Sequence, residues 1–393
     1  MVARVLVVAV VWTTLLWSII GALIAPVLPG GWRSVLVAAL VAFAPLLVLL
    51  RGLSGTAYPS AALRLWLFRP FWYIQLSLPL MAIAGAVGFL AGVPLGVGAI
   101  AGRWAIAVIA AMFAVLGVVG YLGSRQLRVA TLDAQFSDLP AGLEGLRIAQ
   151  ISDVHVGPHT SRRQLANIAR AVQQARADLI AFTGDQVDDY AHDIAHFAKA
   201  FGELTAPLGV FAVAGNHDVY AGWAGVRAGL EAMGITVLVN EAVEMVRGDS
   251  RFWIAGTGDP AGIGRAPGAA DDTAPDIDRT LALVPADGFT LALAHNPALW
   301  PLLAERGVQL TLSGHTHHGQ VSIPHLQWSL ASLFLEYAMG WHRHGRSLLY
   351  INPGTNYWGL PLRIGALPEV TVLTLRRAAG RGAEIRQSRA DHA

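Results

Sequence analysis

No cysteine occurs among the 393 residues. Disulfides, thiolate metal sites and cysteine nucleophiles are therefore excluded. The compartment stays open, because a cysteine-free domain survives on either side of a membrane. Charge is also scarce: Asp, Glu, Lys and Arg make up 14% of the chain, against about 25% in ordinary soluble domains. The scarcity is uneven. No Asp or Glu precedes Asp133 and no His precedes His155, and residues 1–125 carry only Arg4, Arg33, Arg51, Arg64, Arg69, Arg103 and Arg125. Ion and proton paths need intramembrane acids or histidines, so this first third reads as an anchor and not a transporter.

Apolar sequence is abundant there. Val5–Trp32, Ser34–Leu50, Pro70–Gly102 and Trp104–Ser124 are free of charge, and roughly 20 apolar residues cross a bilayer core. The pattern predicts an all-α transmembrane bundle of about four helices in residues 1–125, with spans near 5–28, 34–50, 71–93 and 104–123. The first apolar run is too long for a signal peptide, and three more follow. "AGAVGFLAG" suits close helix contact. With four spans, Arg4, Arg51, Arg64, Arg69, Arg125 and Arg128 share one side, and Arg33 and Arg103 the other. That bias predicts a multi-pass protein of the plasma (inner) membrane with its C-terminal domain in the cytoplasm.

Residues 126–145 read as a linker, 146–377 as a globular domain and the Arg-rich 378–393 as a disordered tail; Pro260–Pro275 reads as a mobile loop. Within 146–377 short apolar runs alternate with helical patterns, which predicts an α/β fold. Five of those runs stop at polar clusters: "SDVHVG", "TGDQVDD", "AGNHD", "AHNP" and "SGHTHHGQ". Ligands in α/β sheets bind beyond the carboxyl ends of strands. Convergence of the five ends would gather Asp153, His155, Asp185, Asn216, His217, His295, His315 and His317. Carboxylate, imidazole and amide oxygen suit a hard-to-borderline divalent metal. Asp153 and His155 are two residues apart, as are His315 and His317, so on extended segments each pair points to one side. An isolated D-x-H is common by chance; five glycine-flanked clusters in order are hard to obtain from structural causes.

The ordered set Asp153-Val-His155, Gly184-Asp185, Gly215-Asn216-His217-Asp218, His295 and Gly314-His315-Thr-His317 resembles the calcineurin-like metallophosphoesterase family, in particular its membrane-anchored bacterial YkuE/YaeI-like branch. The resemblance covers about Leu139 to Leu375. It implies two packed mixed β-sheets flanked by helices. It also implies two divalent metals: one on Asp153, His155, Asp185 and His317, the other on Asp185, Asn216, His295 and His315, with Asp185 bridging. Mn is the expected ion, with Fe, Zn or Co as others the ligand set suits. Such an ion pair shares a hydroxide for in-line displacement at phosphorus. His217 would contact the phosphoryl oxygen or protonate the leaving group, with Asp218 orienting it; Asp188 would either support the ligands from behind or be a solvated loop acid. Arg363 in "PLRIG" is a candidate phosphate contact or a structural ion pair. His318 stands where the branch usually has Gly, either narrowing the site, touching substrate or facing solvent.

The expected activity is hydrolysis of a phosphodiester or pyrophosphate, with a lipid or lipid-linked substrate at the bilayer as partner. "HLQWSLASLFLEYAMGWHRHG" would supply an interfacial lip from Trp328, Leu330, Leu333, Phe334, Leu335, Tyr337 and Trp341; the same residues would otherwise fill the core between the sheets. A nuclease or soluble-nucleotide phosphodiesterase is an alternative. However, residues 126–393 hold 26 acidic and 21 basic side chains with no basic run, which speaks against a nucleic-acid partner. A non-catalytic metal-binding sensor is another alternative, although every motif residue is present.

Overall fold

The computed structural model describes residues 2–52, 59–264, 272–378 and 382–388. The chain divides into two compact units, Met1–Val119 and Gly120–Ala393. Helices run over Val2–Ile24, Trp32–Gly52, Arg69–Gly92 and Gly98–Gly123, the last of them ending inside the second unit. Among the described residues, three helical stretches are long and apolar enough to cross a membrane: Val10–Val27, Arg64–Leu95 and Gly98–Gly123. The expected second span is helical, but it contains Pro45 and only its Trp32–Leu46 part counts as a shorter apolar helix. The last helix starts at Gly98, earlier than Trp104. A single turn over Val93–Leu95 and left-handed Gly96 are enough to reverse the chain. Small residues do bring these two helices together: a Cβ on Gly88 would lie 2.9 Å from the Ala101 carbonyl oxygen.

The second unit is built from fifteen strands among the described residues. In chain order they are β1 (Arg128–Phe136), β2 (Arg147–Ile151), β3 (Leu179–Phe182), β4 (Val210–Ala212), β5 (Thr236–Val237), β6 (Glu241–Arg247), β7 (Ser250–Gly256), β8 (Thr290–Leu293), β9 (Leu310–Ser313), β10 (Ser322–Ile323), β11 (Trp328–Ser329), β12 (Gly340–His344), β13 (Ser347–Ile351), β14 (Glu369–Arg377) and β15 (Glu384–Gln387). Two mixed sheets result, ordered β15-β1-β14-β2-β3-β4-β5 and β12-β13-β9-β8-β7-β6, with a small β10-β11 hairpin apart. Pleating decides the layers. Leu179 and Ala181 join Leu291, Leu293, Leu310 and Leu312 in one apolar cluster drawn from both sheets. Their neighbours Ile180 and Phe182 pack with Leu165, Ile168 and Val172 of helix Arg162–Ala175 and Phe197 and Phe201 of helix Ile194–Phe201.

Two segments depart from expectation. Residues 126–145 are not a linker: β1 pairs with β14 along nine residues, and Ala134 and Phe136 are fully buried. Its acidic and polar residues hid the alternation. Nor is the tail wholly unstructured, since β15 pairs with β1 and buries Ile385. Residues 379–381 and 389–393 of that tail, and 265–271 of the predicted mobile loop, lie outside the described residues.

Strands β2, β3 and β4 are mutually parallel, and so are β7, β8 and β9. Their carboxyl ends release Asp153, Asp185, Asn216, His295 and His315 in turn. One topology therefore places five polar turns where a ligand can meet them.

Candidate metal centre

The turns are held in unusual backbone conformations. Asp153, His155, Asp185, His315 and His317 all have positive φ, between 45° and 70°. Non-glycine residues pay strain there, and such strain concentrates at functional sites. This corrects the expectation of extended D-x-H and H-x-H segments: both pairs face inward, but through left-handed turns and not through strand alternation. Two glycines let the turns close. A Cβ on Gly314 would collide with Asp153 Oδ2, and one on Gly215 with Asp185 Oδ1.

Two groups of ligand atoms meet. In the first, His317 Nε2 lies 3.0 Å from His155 Nε2 and 3.2 Å from Asp153 Oδ1. In the second, Asn216 Oδ1 lies 2.8 Å from His315 Nδ1 and 3.2 Å from His295 Nε2. Asp185 Oδ2 stands between them, 3.5 Å from His155 Nε2 and 3.2 Å from His295 Nε2. Two donors about 2.1 Å from one ion at right angles are roughly 3 Å apart, so these separations fit the edges of a coordination shell. Ionisation agrees. Burial alone would raise the Asp153 and Asp185 carboxyls, but the histidines around them hold both well below the usual carboxylate range. Burial pulls His315 and His317 down to about 4, which keeps them in the neutral form that binds metal; at His155 and His295 the surrounding carboxylates outweigh burial and raise the imidazoles, so an ion there would displace a proton. The residues thus fit a pair of divalent ions.

Outer partners aim the ligands. His295 Nδ1–H donates to the Thr183 carbonyl at 2.8 Å, turning Nε2 toward Asp185. His155 Nδ1 faces Asp188 Oδ1 at 3.4 Å. The His217 ring is also met by Asp188: its Nδ1–H donates to the Asp188 carbonyl at 2.9 Å, with the carboxylate at 3.5 Å. Tyr220 and Trp358, both largely exposed, flank the same ring at 5.8 and 5.6 Å between centroids.

Several expected roles change. Asp218 does not orient His217; its oxygens accept the backbone N–H groups of Val187 and Gly215, bracing the turn. Burial and the nearby Asp185 carboxylate push Asp218 up to about 7. Arg363 is closed off from a phosphate, and among the described residues it forms no ion pair. It is fully buried, and its guanidinium donates to carbonyls of His317, Pro353, Ala366 and Asn356. Burial pulls it down to about 9. His318 reaches neither substrate space nor solvent: it is buried with Nε2 3.1 Å from the Ile351 carbonyl. The core reading of the lip also fails. Phe334 is 82% exposed and Leu333 60%; Trp328, Leu330, Leu335 and Trp341 are exposed as well, and only Tyr337 packs inward, against Trp300. The turn carrying Leu330 and Leu333 rests directly on the His317–Gln320 turn.

The loop after β13 was missed. Thr355 Oγ1 donates to the Ser152 carbonyl and Asn356 Nδ2 to that of Val154, so "NPGTN" supports the Asp153–His155 turn. The signal was present: β13 is parallel to β9 and ends in a polar cluster like the other five.

Residues 146–319 match the family model of the calcineurin-like phosphoesterases. A transmembrane protein with a metallophosphoesterase domain from Danio rerio is 32% identical over 262 residues, covering 64% of this chain and 58% of that protein. The metallophosphoesterase YkuE of Bacillus subtilis is 30% identical over 262 residues, covering 65% and 88%. Among solved structures, TT1561 of Thermus thermophilus matches with 14% identity and a TM-score of 0.37, covering 53% and 90%. The chain belongs to the calcineurin-like metallophosphoesterase family, whose members use divalent metals. It spans about 58–60% of the length of the first curated relatives it matches.

Proposed function

We propose that this chain is a membrane-anchored phosphoesterase that hydrolyses a phosphodiester or pyrophosphate bond with two divalent ions, Mn first among them. The observation that carries the reading is Asp185, whose Oδ2 lies within 3.5 Å of a histidine from each ligand group. Asp153, His155, Asp185 and His317 would hold one ion, and Asp185, Asn216, His295 and His315 the other. Bound ions would supply a more acidic water and neutralise phosphoryl charge. His217 does the rest of the proton work. With Nδ1–H committed to the Asp188 carbonyl, Nε2 is left to meet the phosphoryl or leaving-group oxygen.

The substrate we propose is a lipid or lipid-linked phosphoester. Support comes from the exposed apolar ridge of Leu326, Leu330, Leu333, Phe334 and Leu335 beside the His317 turn, since a patch of this kind marks a partner surface. With the Trp32–Gly52 helix counted as a fourth span, the arginine bias favours a cytoplasmic domain. Hydrolysis of a chromogenic phosphodiester by the purified chain with Mn tests the chemistry; absence of turnover with all divalent ions would refute it. A C-terminal reporter active only outside the cytoplasm tests the topology, and should be silent.

A further inference from the structure

Arg363 is among the largest fully enclosed side chains, yet among the described residues it forms no ion pair, the Asp153 carboxylate acting on it only through space. An enclosed guanidinium is costly, and an apolar side chain of similar size commonly serves a fold as well or better. What it offers instead is a planar fork. One arm, Nη1, donates to the His317 carbonyl at 3.0 Å; the other, Nη2, lies beside Nδ1 of the same histidine, which carries the proton when Nε2 binds an ion, so the hold is on the carbonyl. The backbone of His317 is thus gripped, and Pro353, Asn356 and Ala366 turn carbonyls inward to hold the fork. His317 needs such a grip, because its φ of 48° is one that side-chain-bearing residues seldom keep unaided.

We propose that Arg363 is the positioning residue that presents His317 to the metal centre, an inference that rests on the two-metal reading above. Arg363 is itself fixed from behind. Its N–H donates to the Gly120 carbonyl at 2.9 Å, and a Cβ on Gly123 would collide with the Arg363 carbonyl oxygen. Gly123→Ala therefore shifts Arg363 without removing any donor.

The test is Mn binding to the full chain in detergent, stripped of metal and then titrated, with ion content measured on the same samples. Wild type should bind two ions. Arg363→Met and Arg363→Lys should each weaken one ion by about 10–100-fold, the range typical for partners of metal ligands, and leave the other within about twofold. Lys keeps the charge but not the fork, so its failure to rescue separates positioning from electrostatics. Gly123→Ala should weaken the same ion. Wild-type affinity for both ions in folded Arg363→Met and Arg363→Lys would overturn the proposal. Should neither variant fold, unweakened binding by Gly123→Ala would overturn it. A wild-type chain that binds no ion would sink the two-metal reading as well.

Discussion

Replacing Leu333 and Phe334 by Ser tests the lipid reading where the structure is most specific. Phe334 is 82% exposed, and with about 150 Å² of side-chain surface it leaves about 120 Å² open to solvent. At about 25 cal/mol per Å², full transfer of that surface into a lipid interface is worth about 3 kcal/mol. Each 1.4 kcal/mol or so is tenfold, so half insertion corresponds to about tenfold and full insertion to about a hundredfold or slightly more. Leu333, at 60% exposure, adds to this. The assay compares kcat/KM on a phospholipid diester in vesicles with kcat/KM on a soluble aryl phosphodiester. The double variant should lose at least about tenfold on vesicles and change less than about twofold on the soluble ester. Its thermal midpoint should hold, because exposed substitutions usually stay within about 0.5 kcal/mol. Equal loss on both substrates, or undiminished vesicle activity, would refute the lip.

Other consequences are sharper for the chemistry. His217→Ala should keep both ions, measured by ion content, while turnover falls by about 10²–10⁴-fold; an empty centre in that variant would make His217 a ligand. Asp218→Asn should lower thermal stability more than kcat, since its oxygens serve the backbone of Gly215 and Val187; a selective loss of kcat would restore it as a catalytic partner. Deleting residues 382–393 should lower the thermal midpoint, because β15 covers the outer edge of β1 and buries Ile385; an unchanged midpoint would mean the strand contributes little.

The candidate centre was legible because its residues sit at strand ends in a fixed order, and polar residues closing apolar runs leave a signal that needs no tertiary knowledge. Less visible was how the side chains are aimed. Asp153 and His155 converge through left-handed turns, which no two-residue periodicity reveals. Arg363 and His318 look alike in sequence to any polar residue near a site, and only packing shows that both are enclosed and spent on carbonyls. The lip posed the opposite problem: large apolar residues read equally as core or surface, and their exposure comes from a turn lying over His317 and outside both sheets. β1 escaped notice because half-buried Thr131, Asp133 and Gln135 stand between buried Ala130, Ala134 and Phe136 and read as polar linker.

The central claim is a two-ion centre bridged by Asp185, and ion content reads it directly. Wild-type chain loaded with Mn and freed of excess should carry two ions per chain, and Asp185→Ala should carry essentially none, because its Oδ2 stands between both ligand groups. Two ions retained in Asp185→Ala, or none in the wild type, would contradict the account.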